Sequence, residues 1–141
     1  MQNPPPGQQT SIGLAPNIAA ALSYIWIIGL ILFFIEKENK FVRFNAMQSV
    51  LYGVTWMIVM IVLGILSAIL AVIFGVAAGA AGNAGGIISI VFSLISLIIW
   101  LIVPLIYVGG LIWGAIKGYQ HVVFKFPIIG NMAEKFAGGS N

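Results

Sequence analysis

A chain of 141 residues that is 61% hydrophobic and only 6% charged has too little charge to coat a water-facing surface, since an ordinary soluble domain is roughly half apolar and about a quarter charged. Cysteine is absent, which excludes disulfides, thiolate metal sites and cysteine nucleophiles. The net charge of +3 comes from six Lys and Arg against three acids, a bias that attraction to anionic lipid headgroups explains more simply than nucleic acid does.

The first 16 residues, MQNPPPGQQTSIGLAP, are rich in Pro, Gln and Gly and offer no apolar periodicity, so they read as a flexible tail. They lack the basic start of a signal peptide, and no small-residue cleavage site precedes Glu36 and Lys37. The hydrophobic stretch behind them is therefore expected to be retained. It predicts a first span over 18–35, capped by Asn17 after Pro16, close to the minimum for a ~30 Å hydrocarbon layer. Spans over 46–76 and 87–116 follow, both longer than the minimum and expected to tilt. Pro104 falls inside the third, where splitting would leave two pieces too short to cross, so it is expected to kink the helix. The joint 75–86, GVAAGAAGNAGG, reads as a tight turn of small residues.

The expected fold is all-α: a polytopic membrane protein with three transmembrane helices over 17–116 and a short interfacial C-terminal segment within 117–141. No charge occurs between Met1 and Ile35 or between Phe44 and Ile116. The basic residues sit in the loop 36–45 (Lys37, Lys40, Arg43) and after the last span (Lys117, Lys125, Lys135). Three crossings place both segments on one face, which the positive-inside rule makes cytoplasmic, with the amino terminus outside.

The only carboxylates are Glu36, Glu38 and Glu134, and the only imidazole is His121. All fall in segments expected at the water interface, so no catalytic, cofactor or metal site is expected and the chain is not read as an enzyme. No ionisable group lies inside the spans, which argues against a charge-coupled pump.

Polar uncharged residues are better placed. Asn45, Gln48, Tyr52 and Thr55 share one helix face, and Ser89, Ser93, Ser96 and Tyr107 have compatible spacing on the third span. Such a stripe is either a polar path or interhelical glue, and Ser or Thr can also satisfy a carbonyl one turn earlier on its own helix. Small residues form a second pattern: Gly64, Gly75 and Gly79 on span two, and Gly110, Gly114 and Gly118 at four-residue intervals on span three. They permit close helix packing, within the chain or against another copy. Near the end, Phe126 and Pro127 break any helix, Asn131 with Glu134 resembles a capping box, and Phe124, Ile128, Ile129, Met132 and Phe136 suit an interfacial segment.

Two stretches, IEKENKFVRFNAMQS over 35–49 and KFPIIGNMAEKF over 125–136, resemble the prokaryotic branch of the Tic-twenty-like family. These are small polytopic membrane proteins of unknown function, and magnetosome proteins of the MamF type are similar too. The resemblance implies a prokaryotic plasma-membrane protein in which Glu36, Lys37, Lys40, Arg43, Asn45 and Gln48 lie near Pro127, Gly130, Asn131 and Glu134. Docking of the two motifs is expected, through Arg43 or Lys40 with Glu134. The expected role is a non-enzymatic membrane scaffold or assembly factor without cofactors. Its partners would be the lipid bilayer, further copies of itself or other membrane proteins, and no nucleic acid. The alternative is a channel or protein-translocation component, because the family takes its name from a chloroplast inner-envelope import component.

Overall fold

The computed structural model describes residues 2–3 and 7–138. What was expected of residues 1, 4–6 and 139–141, parts of the flexible and interfacial tails, lies outside the described residues. Among these residues every regular element is helical: α1 (Pro16–Leu22), α2 (Trp26–Ile35), α3 (Lys40–Ala80), α4 (Gly85–Tyr119) and α5 (Ile129–Phe136), with a 3₁₀ turn over Gly82–Ala84. The chain forms two compact units, one made of Trp56–Val108 and the other of the residues before and after it.

The Trp56–Val108 unit is a helical hairpin. Its helices belong to α3 and α4, which have 41 and 35 residues, whereas a crossing needs about 20. Among the described residues these are the two helices long and apolar enough to span a bilayer. Their surfaces are lined with exposed Ile, Leu, Val and Met side chains, which is tolerable only where hydrocarbon is the solvent. Phe74 stacks on Phe92 at 4.9 Å, and Trp56 meets Tyr107 edge-on at 5.3 Å. The turn is shorter than expected, because α3 continues to Ala80. Gly82 reverses the chain with φ +56°, and Gly85 lies so close to the Ala78 carbonyl that no Cβ would fit. Pro104 lies within α4, which continues through it.

In the other unit, Asn39 starts α3: its Oδ1 accepts the Phe41 and Val42 N–H groups at 3.1 and 3.2 Å, the arrangement of an N-cap. The end of α4 is a Schellman closure, with Val122 N–H donating to the Lys117 carbonyl at 3.0 Å and His121 at φ 57°.

The expected first span is where the structure departs from the sequence reading. Residues 18–35 do not form one helix but divide between α1, of 7 residues, and α2, of 10, and α2 rises only about 15 Å. The helix stops at Ser23, where Tyr24 and Ile25 donate to carbonyls three residues back and Ile25 is extended at ψ 110°. The two ends of the stretch then meet, because Ser11 N–H donates to the Glu36 carboxylate at 2.9 Å. Among the described residues, 18–35 therefore supply no third helix long enough to cross, and the third crossing expected from the sequence is not shown. Nor does the described part of residues 1–16 hang free. Thr10 closes a turn on the Leu14 carbonyl at 2.7 Å, and Asn3 accepts Val123 N–H at 2.8 Å.

Candidate functional site

All six Lys and Arg lie in the unit flanking the hairpin, and that unit also contains a buried polar cluster. Gln48 is its centre, with no exposed surface. Its amide nitrogen donates to the Tyr24 hydroxyl at 2.8 Å and to the Phe124 carbonyl at 3.0 Å, and its amide oxygen accepts Phe126 N–H at 3.2 Å. Tyr24 in turn donates to Asn45 Oδ1 at 3.2 Å, and Asn45 Nδ2 returns to the Phe41 carbonyl one turn back. One residue on, Ser49 donates to the Ser23 carbonyl at 2.5 Å. That carbonyl is one freed where α1 ends, so the break between α1 and α2 is satisfied from α3. A buried amide with both ends bonded is stabilising, and the same amide left unpaired would cost about 1–3 kcal/mol.

The two family-like segments come together around this amide. Tyr52 stacks on Phe126 at 4.7 Å, and Phe44 packs with Ala133 of α5 and Ala137 at its C-cap, bordered by Met47, Leu51 and Val123. A Cβ on Gly130 would fall 2.5–2.7 Å from Lys125 and 3.0 Å from Gln48 Oε1, so this contact requires glycine. The ionic part differs from the expected Arg43 or Lys40 pairing. Glu134 accepts a hydrogen bond from Lys125 Nζ at 2.7 Å, nine residues away in its own segment, and that ammonium holds its carboxyl below the usual range. Arg43 lies over the Phe33 ring at 5.4 Å. Asn131 is an exposed residue inside α5 and no capping box forms, since the helix begins at Ile129 behind an Ile128 cap at φ 66°. Lys37, Lys40 and Pro127 are exposed.

Glu36 is also committed. Its Oε1 accepts Glu38 and Asn39 N–H at 3.0 and 2.9 Å, and its Oε2 accepts Ser11. Burial alone would raise its pKa, but the donors from Asn39, Ser11 and Glu38 outweigh burial and hold the carboxyl below its ordinary value.

The remaining stripe residues do not join this cluster. Thr55 is exposed and donates to the Leu51 carbonyl of its own helix at 2.8 Å. Ser89, Ser93, Ser96 and Tyr107 belong to the hairpin unit, where Ser89 and Ser93 are exposed. The glycines divide in the same way. Nothing approaches Gly64, Gly75 or Gly79, whereas Gly110, Gly114 and Gly118 press against Tyr52, Tyr24 and Ala20. Sequence reasoning missed Ser11, Ser23, Tyr24, Asn39 and Ser49. Only Asn39 had a local signal, an Asn one residue before a helix start. The others are polar residues whose partners lie 21 to 26 residues away.

A bare apolar hairpin attached to a cation-bearing unit with an internal polar core defines a small all-helical integral membrane protein. The relatives agree with that class. Over 131 residues, 89% of this chain and 73% of the relative, the chain is 30% identical to UPF0132 membrane protein MJ1527 of Methanocaldococcus jannaschii. Over 53 residues it is 45% identical to UPF0132 membrane protein MJ1443 of the same archaeon, a match covering 36% of this chain and about half, 48%, of that protein. The chain belongs to the UPF0132 membrane protein family. No family model matches it, and no solved structure does.

Proposed function

We propose that the chain is a non-enzymatic structural protein of the prokaryotic plasma membrane, a scaffold or assembly factor whose cation-bearing unit faces the cytoplasm and receives other membrane proteins. The observation that carries this reading is the full commitment of Gln48. A residue meant to line a path keeps hydrogen-bonding capacity for what passes, and this amide spends both its nitrogen and its oxygen on Tyr24 and the 124–126 backbone. Two of the three carboxylates are likewise committed, Glu36 to backbone N–H groups and Glu134 to Lys125. The resemblance to Tic-twenty-like proteins rests on the two segments joined through Gln48, so in this reading their similarity reflects a shared internal joint. Both ends of the 11–36 stretch and the C-terminal segment share the cationic side, which the positive-inside rule makes cytoplasmic.

The lack of native cysteine makes the test direct. Single-cysteine variants at Ser11, Glu38 and Asn83, labelled with an impermeant maleimide in intact cells and in inverted vesicles, should give the same sidedness for 11 and 38 and the opposite one for 83. Photocrosslinking from position 38 in native membranes should then capture a reproducible membrane-protein neighbour. Ion flux through purified protein in liposomes that Gln48→Leu abolishes would replace the scaffold reading with the channel one.

A further inference from the structure

We propose that α5 is an interfacial helix that holds the cationic unit to anionic phospholipid headgroups, with Ile128, Met132 and Phe136 inserted and Lys40 and Lys135 at its charged end. The proposal deepens the reading above, since it takes the unit to sit at a membrane face.

The argument begins with the two sides of α5. Gly130, Ala133, Glu134 and Ala137 are buried, and the two alanines pack on Phe44 of α3. The outward side carries Met132 and Phe136, one turn apart in one row and exposed by 44% and 57%, and the non-helical cap Ile128 just before the helix is 80% exposed. A helix this short has no need of an apolar row on its free side for its own packing, because its packing side is already filled.

Charge selects what covers that row. The only acid of α5 is turned inward and neutralised by Lys125 at 2.7 Å, so its free surface offers Lys135 and no carboxylate. Lys40 reaches the same end, with its Cε 3.8 Å from where a Cβ on Gly138 would lie. Apolar side chains beside ammonium groups that have no ion pair among the described residues are the pattern of helices that lie in the boundary between headgroups and acyl chains and favour anionic lipid.

Depth agrees. The α3 side chains beneath and beside α5 run from Phe44 to Leu51, and α3 first exposes apolar side chains at Val54. At 1.5 Å per residue α5 therefore lies about 5 to 15 Å before the apolar run, which is where a headgroup layer of about 5–8 Å would meet it. Within the same unit Lys117 stands over the Trp113 indole at 4.9 Å, and exposed Trp113 and Tyr119 suit the aromatic belt of that layer.

The experiment is a depth measurement by spin label on Met132→Cys, with Glu38→Cys as the aqueous control. The full chain is reconstituted in vesicles of phosphatidylcholine alone or of equal phosphatidylcholine and phosphatidylglycerol. The expected result is a severalfold higher ratio of oxygen to nickel-complex accessibility at 132 than at 38, increasing when phosphatidylglycerol is present. Lys40→Glu with Lys135→Glu should remove the increase, while an unchanged melting midpoint shows that the fold persists. A ratio at 132 equal to that at 38 in both vesicles would overturn the proposal. So would insertion that ignores lipid charge, or a strong coupling between labels on two chains, which would make a second copy the occupant. Sidedness labelling at 11, 38 and 83 is read separately, so failure of the scaffold topology and failure of headgroup binding are distinguishable.

Discussion

Gly64 and Gly114 both sit in long apolar helices and look alike in the sequence, yet a methyl group on Gly114 would collide with the Tyr24 ring, and one on Gly64 would meet nothing. Two hydroxyls of the flanking unit differ in the same way. Ser49 reaches another segment at the Ser23 carbonyl, while Thr55, six residues on, bonds back to its own helix. In the hairpin unit, the long helices expose their apolar surface and Gly64, Gly75 and Gly79 lie open. In the flanking unit, side chains from distant segments converge, and Gln48, Ser49, Gly114 and Gly130 each acquire a partner that limits what can replace them. Residue type shows that a helix face is flat or polar, and the neighbour decides whether flatness or polarity matters.

The sharpest contrast is between Gly130→Val and Gly64→Val. The first forces a side chain into the Lys125 backbone and should cost about 3 kcal/mol or more, and the second should stay within about 1 kcal/mol. Thermal unfolding of both in the same detergent measures this, and equal midpoints would erase the distinction between the units. Next, Gln48→Leu removes the partners of Phe124 and Phe126 and should cost about 2–3 kcal/mol, with faster amide exchange at Phe126. Thr55→Val should change stability by less than about 0.5 kcal/mol.

A smaller effect should follow pH. The Glu36 carboxyl has a folded-state pKa below its ordinary value, so its contribution is complete above the unfolded value of about 4.3 and is lost as pH falls through the lowered folded one. A nitroxide on Ile12→Cys, beside the Ser11 N–H that donates to Glu36, should be immobilised at neutral pH and become mobile only below about pH 4. Glu36→Gln should leave it mobile throughout, because the amide would present a donor to a donor. Mobility at neutral pH in the unaltered carboxylate background would show that the segment around Ser11 is not held by Glu36. The least change is expected from Ser93→Ala in the exposed hairpin, within about 0.5 kcal/mol. A larger loss would mean that this face of α4 meets another chain.

Much of this arrangement was legible beforehand. The long uncharged stretches containing α3 and α4 stand out because a membrane crossing requires an uninterrupted apolar run, and the shared face of Asn45, Gln48 and Tyr52 follows from helical periodicity. The break after Leu22 was not legible, since IAAALSYIWIIGL holds no Pro and its only Gly, Gly29, lies inside α2. What favours the interruption is hydrogen bonding to α3: the Ser23 carbonyl accepts from Ser49, and the Tyr24 hydroxyl donates to Asn45 and accepts from Gln48. The pairing of Glu134 was misassigned for a related reason. Arg43 and Lys40 were the cations of the other motif, but the turn before α5 brings Lys125 to the carboxylate first.

From composition and order of residues alone follow the solvent, which is lipid, the two long helices, and the gathering of all basic side chains in segments that flank them. These depend on local quantities, hydrophobic run length and the positions of charges, that every window of the chain carries. Whether the first apolar stretch forms one helix or two, which polar residues are spent on internal bonds, and which side of α5 is left free were decided by tertiary contact. Each of these depends on hydrogen bonds and close approaches between residues far apart along the chain, and no local pattern encodes who will be the partner.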